Sequence, residues 1–286
     1  TQGRVVAVGG TSSFTTSASG ADITLNTTTN AFTGAVALNT TGNSGDARID
    51  GGTTALDIAA SSVSGFLSLI SDHASGITDS GTVTVGYYLT AKTEANNGVI
   101  NLDQLAVSSD IFFGTHGTGN ATLVNASTFG IGFNSDRRVG GNLSVTATTG
   151  NITNGWGNGS LTVGGTTTLT TSANNADITL NNPTSNGHSQ NFTFTGAVTL
   201  NTTGSTGHAS VVSASGLDFG ASTVGGNLVA TATTGNMTDS GTVTVGGNLA
   251  ATTDANNGVI NLGTLAVDGS VSLHTHGSGN ATVVND

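Results

Sequence analysis

The chain has 286 residues, including 44 glycines, one proline and no cysteine, and only 7% of its residues are charged. Its net charge is −11 with five fixed cations, which argues against nucleic acid and anionic membranes, because both are bound by clusters of Lys and Arg. Hydrophobic residues make up 35% of the chain. A disordered chain is not expected, because disordered chains combine low hydrophobicity with high charge. No apolar run approaches the roughly 18 residues of a transmembrane helix, so membrane insertion is not expected.

Most of the remaining residues are Thr, Ser, Asn and Gly. Thr, Val and Ile favour β-strands, while Gly and Asn favour the tight turns between strands. The composition therefore predicts an all-β protein with many short strands and many turns.

A valine or phenylalanine that leads into a turn of small residues recurs from one end of the chain to the other. These anchors are, in chain order, Val8, Phe32, Val63, Val85, Val107, Val139, Val163, Phe194, Val224, Val245 and Val267. The spacing of neighbouring anchors is in the range that is typical of solenoid repeats. It predicts about eleven similar units, and the longest intervals suggest units with an extra bulge or a longer loop.

A second pattern has a longer period. The motif TxANNGVINL occurs at residues 93–102 and 253–262, with looser copies ending at Leu25 and Leu180. Its isoleucines follow four of the anchors at one constant distance: Ile23 follows Val8, Ile100 follows Val85, Ile178 follows Val163 and Ile260 follows Val245. Because the two patterns share one phase, they indicate an internal repeat with a super-period of about 77–82 residues, or three anchor intervals.

Units of about 22 residues are too short to bury an apolar face alone, but stacked units bury it together. Alternation of apolar and polar residues, as in Leu143 to Ala147, indicates strands with one inward face. We therefore predict a right-handed parallel β-helix (β-solenoid) of about eleven coils of about 21–32 residues. Residues 1–286 would form a single continuous segment, roughly 50 Å long at about 4.8 Å per coil. Asn101 and Asn261 are expected at equivalent turns, where side-chain amides form ladders.

Three further expectations concern the architecture. The extra residues at 182–191, which include Pro183, predict an exposed loop that leaves the coil phase intact. The open ends predict part of a longer repetitive chain or end-to-end stacking into a fibre. A tandem of immunoglobulin-like sandwiches is the alternative fold, but it provides no sub-period of about 22 residues and usually has Trp and Tyr in its core.

The run VGGNLSVTATTGNIT, from Val139 to Thr153, and its later copies VGGNLVATATTGNMT and SGTVTVGGNLAATT resemble the repeat region of filamentous-haemagglutinin-type exoproteins. Those proteins are large adhesins of Gram-negative bacteria that are exported by two-partner secretion. The resemblance implies a right-handed β-helix, a secreted, cell-surface location and a role in adhesion or aggregation. The partners implied are glycans and proteins of host or neighbouring cells, further copies of the chain, and an outer-membrane secretion partner. The secretion domain of that family is not visible among these residues.

Few residues suggest chemistry. Gly51 to Asp57 weakly resembles a calcium-binding nonapeptide repeat, but it occurs once and a plain turn explains it better. His274 and His276 could share one strand face, as metal ligands do, without an evident third ligand. The sixteen acidic residues are scattered, whereas glycoside hydrolysis needs paired carboxylates. We expect no catalytic residue, no cofactor and no metal site.

The sequence therefore predicts a non-enzymatic structural fibre or adhesin stalk, which mediates adhesion or self-assembly at the cell surface. The predicted contact points are outward aromatic residues, which could equally be core or corner residues: Tyr87, Tyr88, Phe129, Phe133 and Trp156. Two alternatives remain open. One is a polysaccharide-active β-helix enzyme, and the other is an ice-binding solenoid, suggested by Thr-x-Thr pairs such as Thr146/Thr148 and Thr166/Thr168.

Overall fold

A computed structural model of the chain describes residues 2–132, 137–155, 157–181 and 190–286. Within these ranges the regular structure consists of 34 β-strands, and no helix is present, so nothing there could cross a membrane as an apolar helix. The strands are β1 (Ala7–Val8), β2 (Ser12–Thr15), β3 (Ile23–Leu25), β4 (Ala31–Phe32), β5 (Val36–Asn39), β6 (Ala47–Asp50), β7 (Leu56–Ile58), β8 (Ser61–Val63), β9 (Leu67–Ser71), β10 (Ile77–Asp79), β11 (Val83–Val85), β12 (Leu89–Asn96), β13 (Ile100–Val107), β14 (Asp110–His116), β15 (Ala121–Asn125), β16 (Phe129–Ile131), β17 (Arg137–Val139), β18 (Leu143–Ala147), β19 (Ile152–Asn154), β20 (Gly159–Val163), β21 (Thr167–Asn174), β22 (Ile178–Leu180), β23 (Gln190–Phe194), β24 (Val198–Thr203), β25 (Ala209–Ser213), β26 (Leu217–Phe219), β27 (Ser222–Val224), β28 (Leu228–Ala232), β29 (Met237–Asp239), β30 (Val243–Val245), β31 (Leu249–Asn256), β32 (Ile260–Val267), β33 (Val271–His276) and β34 (Ala281–Asn285).

The strands form two long parallel sheets and a shorter third side. Sheet I has 17 strands and sheet II has 12, while the third side consists of the pair β1–β4 and the trio β17–β20–β23. Each coil contributes one strand to sheet II, so the described chain forms about twelve coils. At about 4.8 Å per coil the rod is roughly 55 Å long. The predicted all-β solenoid is confirmed, whereas a sandwich is wrong because its sheets are antiparallel.

The core is a continuous apolar column inside the coils. Along β9, for example, the side chains alternate between buried and half-buried, with Leu67 and Leu69 fully inside. Leu67 pairs with Leu89 in the next coil, and Leu89 pairs with Ile111 in the coil after that. Each coil therefore covers the apolar residues of its neighbour, which no single coil could do alone.

The anchors line up as predicted, but only in groups. Val63 pairs with Val85 and Val85 with Val107, all in sheet I. The remaining groups follow the same rule on one side each: Val8 with Phe32, Val139 with Val163 and Phe194 on the third side, and Val224 with Val245 and Val267 in sheet I. Between groups the anchors move from one side of the rod to another.

We call these three moves the phase switches; they occur between Phe32 and Val63, between Val107 and Val139, and between Phe194 and Val224. Hydrogen bonds identify the residues that lie one coil above Phe32 and Phe194. Thr54 lies above Phe32, since Phe32 N–H donates to Thr54 Oγ1, and Ser215 lies above Phe194, since Ser215 Oγ donates to Phe194 O. Val63 follows Thr54 by the same number of residues as Val224 follows Ser215, and this number is well short of a full coil. At these two switches the interval is therefore about one and a half coils, and the expectation of a bulge or longer loop there is wrong. Part of the interval from Val107 to Val139, residues 133–136, lies outside the described residues.

The phase switches account for the extra coil, because eleven anchors with three intervals of one and a half coils span about twelve coils. The interval from Val163 to Phe194 is different, since these two anchors pair directly on the third side. Its surplus residues fall in the segment 182–191, for which the sequence predicts a loop, but Gln190 and Asn191 at the end of that segment already belong to strand β23. Residues 182–189 of that loop, with Pro183, lie outside the described residues.

The super-period also differs from the expected three coils. Ile23 and Ile178 lie in sheet II, whereas Ile100 and Ile260 lie in sheet I. Seven steps along sheet II separate Ile23 from Ile178, so one super-period averages three and a half coils. Successive copies of the same sequence therefore build alternate sheets of the rod.

The predicted turn asparagines take equivalent positions, but these are in strands rather than turns. Asn101 is the second residue of β13 and Asn261 the second residue of β32. Amide ladders do form elsewhere: Asn120 Oδ1 accepts the N–H of Asn142 at 2.8 Å, and Asn142 Oδ1 accepts the N–H of Thr166 at 2.9 Å. The expectation for Asn101 and Asn261 is wrong because the turn precedes them, at Asn97 and Asn257, whose φ angles are 64° and 60°.

Candidate functional site

A polar ladder runs along the edge of sheet II where its strands begin. In each rung, the side chain that directly precedes the first buried residue of a sheet II strand accepts a hydrogen bond. The donor is the backbone N–H of the equivalent residue in the next coil. The rungs join Asp22 to Asp46, Asp46 to Phe66, Asn151 to Asp177, Asp177 to His208, His208 to Asn227, Asn227 to Asn248 and Asn248 to Ser270, at 2.7–3.1 Å. This edge is therefore fixed by one repeated type of contact.

Two aromatic rings interrupt this ladder. Phe66 precedes Leu67 and Tyr88 precedes Leu89, and both occupy the position that Asn142, Asn227 and Asn248 hold in the VGGNL copies. The rings of Phe66 and Tyr88 stack in parallel, 5.0 Å apart and inclined by 1°. A stack of two rings has thus replaced a polar rung, without a difference in strand register.

Further groups extend this stack into an aromatic cluster. The ring centres of Tyr87 and Tyr88 are 5.0 Å apart, and those of Tyr88 and Phe112 are 5.5 Å apart in a T-shaped arrangement. The guanidinium of Arg48 lies 4.3 Å from the centre of the Phe66 ring. Tyr87 is 57% exposed, whereas Phe112 is only 6% exposed. The cluster therefore has a buried base and an outer ring that water reaches.

The outer part of the cluster borders the aromatic cleft, a surface depression of about 630 Å³. Its lining residues are Tyr87, Tyr88, Ser109, Asp110, Phe112, Asn154 and Gly155. Asn154 is held in place, because its amide donates to Gln190 Oε1 at 2.8 Å and to the Asn181 carbonyl. Aromatic faces thus stand beside a carboxylate, an amide and a hydroxyl, a mixture that suits a ligand with both C–H faces and hydroxyl groups.

A second depression, the basic cleft, lies beside the first. It measures about 350 Å³ and is lined by Lys92, Thr93, Glu94, Gly114, Thr115, His116, Arg137 and Arg138. Lys92 Nζ contacts Glu94 Oε1 at 2.6 Å, with both side chains about half exposed. Burial lowers the pKa of the Arg137 guanidinium, yet an arginine stays charged at neutral pH. The cleft combines three cations with one carboxylate.

The predicted contact residues have different outcomes. Tyr87 and Tyr88 lie at the surface and next to each other. Phe129 is fully buried and meets Phe113 at 6.3 Å, so its outward placement is wrong and its alternative role as a core residue is correct. Phe133 and Trp156 lie outside the described residues.

Sequence reasoning missed Phe66, Phe112 and Asp110. A signal was present for Phe66, because it departs from the repeat: VSGFL and VGYYL have aromatic residues where VGGNL has Asn. No comparable signal exists for Phe112, which joins the cluster only through the stacking of β12 on β14.

Of the two segments considered for metal binding, one forms a turn and the other lies on a strand. Gly51 to Asp57 forms a turn in which Thr54 Oγ1 donates to Gly51 O at 2.7 Å. His274 and His276 lie on the outward face of β33. In the part of the chain that the structure describes, no group of three or more His, Asp or Glu residues is arranged to hold a metal ion.

Comparison with known proteins gives one match. A family model described as "Repeats of unknown function (DUF5649)" matches residues 1–39, 44–108, 118–201 and 206–274, which is most of the chain. No curated protein matches the chain, and no solved structure does. The match agrees with the repeat architecture, and it names neither a filamentous haemagglutinin nor a secretion route.

Proposed function

This chain belongs to the family of repeats of unknown function, DUF5649, and we propose that it is a non-enzymatic, extracellular rod that mediates adhesion by binding carbohydrate in its aromatic cleft. The single observation that carries the proposal is the replacement of polar ladder positions by the stacked rings of Phe66 and Tyr88. The repeat shows how this edge is built without them, so the fold itself does not require the rings.

A carbohydrate suits the cleft for a physical reason. One face of a sugar ring carries C–H groups whose weak positive charge is attracted to the negative face of an aromatic ring. Hydroxyl groups at the sugar edge need polar partners, which Asp110, Asn154 and Ser109 provide at the rim of the cleft. Such contacts are individually weak, and adhesion becomes strong when many rods act together.

The rod shape supports the structural half of the proposal. About twelve coils share one apolar column within the described residues, so neighbouring coils support one another in an extended rod. The resemblance to filamentous-haemagglutinin-type adhesins supports placing it at the cell surface or in the extracellular space. Lateral or end-to-end assembly of rods is a variant of the same role, which sedimentation of the purified chain would detect.

The cleft itself favours binding over hydrolysis. Glycoside hydrolysis uses two carboxyl groups that flank the scissile bond, and the described lining of the aromatic cleft contains one, Asp110. Release of oligosaccharides during incubation with a panel of polysaccharides would contradict the non-enzymatic role.

Glycan binding by the purified chain tests the proposal, with Tyr87→Ala as the variant. We expect the wild-type chain to bind immobilised polysaccharide and Tyr87→Ala to bind about three- to tenfold more weakly, since one stacked aromatic contact contributes about 0.5–1.5 kcal/mol. Val229→Ala is the control, because Val229 is another large exposed hydrophobic residue, and it lies on sheet II outside the cleft. Equal binding by wild type and Tyr87→Ala, or no binding to any polysaccharide, would overturn the proposal.

Ice binding is a second candidate, favoured by one observation. Outward residues of three successive coils of sheet I line up in two files: Ser144, Thr168 and Thr199 form one, and Thr146, Thr170 and Asn201 form the other. Regular files of Thr are the feature that such proteins use. Thermal hysteresis of a solution of the chain measures this activity directly, and its absence would remove this candidate.

A further inference from the structure

The two clefts lie side by side, and we propose that together they bind an anionic polysaccharide, whose acidic groups occupy the basic cleft while a sugar ring stacks in the aromatic cleft. This inference rests on the proposed function and specifies the chemical class of its ligand. The shared chemistry is a sugar polymer that carries carboxylate or sulfate groups.

The first support is the distribution of charge. The chain has a net charge of −11 and only five fixed cations, of which Lys92, Arg137 and Arg138 line one cleft of about 350 Å³. Such a concentration on an acidic protein produces a local positive site, and the surrounding negative surface repels a polyanion elsewhere. Arginine pairs with planar acidic groups through two parallel N–H donors.

The second support is that the repeat does not require these cations. Arg137 and Arg138 directly precede the anchor Val139, which follows a phase switch. The anchors that follow the other two switches, Val63 and Val224, are preceded by Ser61 and Ser62 and by Ser222 and Thr223. In the other copy of the TxANNGVINL region, Thr252 stands where Lys92 stands here. Lys92, Arg137 and Arg138 thus all differ from the residues of the other copies, and all three line one cleft. The aromatic residues that differ from the repeat are likewise gathered in one cluster.

The third support is the contact between the clefts. Strand β14 provides Asp110 and Phe112 to the aromatic cleft, and Gly114, Thr115 and His116 to the basic cleft. The guanidinium of Arg137 lies 6.0 Å from the centre of the Phe112 ring, so the two linings touch. Because strands run around the coil, a polymer that occupies both clefts crosses the rod face instead of following its axis.

At Gly114 the basic cleft has no side chain. Gly114 pairs with Lys92 in the neighbouring coil. A Cβ at position 114 would meet only Arg138 O at 3.5 Å and Arg137 Cδ at 4.0 Å. The missing side chain leaves space beside the arginine pair in the cleft that Lys92 also lines, and the acidic group is placed there.

The experiment measures binding of polygalacturonate, chondroitin sulfate and neutral dextran to the purified chain at low and high salt. We expect the charged polymers to bind at least about tenfold more tightly than dextran at low salt, with the difference reduced at high salt. The carboxylate and sulfate polymers separate the two sources of negative charge. Single-stranded DNA is included, and tighter binding of DNA than of either charged polysaccharide would overturn the inference.

Two variants copy residues from the repeat itself: Lys92→Thr, as at Thr252, and Arg138→Ser, as at Ser62. Each should weaken binding of the charged polymers by about tenfold at low salt, because each removes one charge-assisted contact. Arg4→Ser removes a charge of the same sign far along the chain and should leave binding within about twofold. Unchanged binding by Lys92→Thr and Arg138→Ser, in variants with the wild-type circular dichroism spectrum, would overturn the inference.

The same measurements distinguish failure of the inference from failure of the proposed function. If Tyr87→Ala weakens binding of all polysaccharides while the cation variants have no effect, the rod binds carbohydrate without recognising its charge. If none of the polymers binds, the proposed function fails as well.

Discussion

At the scale of single residues, the phase switches are marked by buried polar side chains. Asp50, Asn125 and Ser213 end strands β6, β15 and β25, and each is at most 5% exposed. Asn125 accepts the N–H of Val107 at 2.8 Å and donates to the carbonyls of Val107 and Thr128 at 3.1 Å and 2.9 Å. Asn125 thereby satisfies backbone groups of Val107 and Thr128, while Asp50 and Ser213 accept the N–H groups of Gly52 and Ser215 in the turns that follow them.

Asp50 is the only one of the three with a titratable group, and this gives a pH prediction. Burial raises the pKa of Asp50, nearby Asp72 and Glu94 raise it further, and the N–H of Gly52, which donates to it at 2.8 Å, opposes them. A raised pKa in the folded state means that stability is greatest below the unfolded pKa of about 3.9 and falls as the pH rises through the folded value.

We therefore expect Asp50→Asn, the residue found at Asn125, to raise the free energy of unfolding at pH 7 and to change it little at pH 4. Urea denaturation at the two pH values measures this difference. Asp268→Asn, at an exposed carboxylate, is the control and should behave like wild type. A variant that is less stable than wild type at pH 7 would contradict the burial of a charge at Asp50.

At the scale of strands and turns, glycine lets neighbouring coils approach each other. At Gly140, the first glycine of a VGGNL turn, a Cβ would overlap the carbonyl oxygen of Gly117 in the coil below. The φ of Gly140 is not in the left-handed region, so crowding is the reason for glycine here. The turn and the coil spacing are therefore fixed by the same residue.

Gly140→Ala should consequently lower the free energy of unfolding by about 1–3 kcal/mol, the usual cost of forcing an extra group into a packed site. Gly263→Ala is a matched control, because its nearest neighbour would be Asp239 Oδ1 at 4.0 Å. The urea midpoints of the two variants compare them. Equal midpoints would show that the coils can separate at Gly140 without cost.

The sequence predicts the elements better than their phase. Alternation in segments such as Leu143–Ala147 identifies the inward residues, and the pairing of Val63 with Val85 follows from equal spacing. Two anchor intervals of identical length, however, have different structural meanings in this chain. From Val163 to Phe194 the interval is one coil, because the two residues pair directly, and from Phe32 to Val63 it is one and a half coils. Spacing alone cannot separate one coil that contains surplus residues from one and a half coils.

The candidate site was predictable only in part, for a similar reason. Tyr87 and Tyr88 are adjacent in the chain, so their proximity needs no fold. Phe66, Phe112 and Arg137 join them only because the coils stack with particular residues in register. Phe129 has the same composition signal as the tyrosines, yet it faces the core. The direction of each side chain depends on strand register, which composition does not specify.

At the scale of the whole molecule, stability depends on an unbroken stack of coils. Each coil contacts mainly the coils directly above and below, so a complete coil can be removed if the remaining neighbours still match. The paired anchors Val63 and Val85 mark the limits of one such coil. Phe32 and Val63 lie on different sides of the rod and mark no complete coil.

Deletion of residues 64–85 should therefore give a folded rod, one coil shorter, with a β-sheet spectrum and cooperative thermal unfolding. Deletion of residues 33–63 should abolish cooperative unfolding or give an aggregated chain, because it joins mismatched sides and exposes strand edges. Circular dichroism and size-exclusion chromatography compare the two deletions. Equal folding of both would contradict the interval of one and a half coils.

Because successive copies of the super-period lie in alternate sheets, equivalent residues are presented to a binding molecule on different sides of the rod. The two closest copies of TxANNGVINL, at residues 93–102 and 253–262, are separated by two super-periods and so place Ile100 and Ile260 in the same sheet. Seven coils at about 4.8 Å put them roughly 34 Å apart. An antibody against this peptide would bind one side of the rod at that interval. The related copies, which contain Ile23 and Ile178, lie on another side. A single repetitive sequence therefore presents regularly spaced epitopes on two sides of the rod.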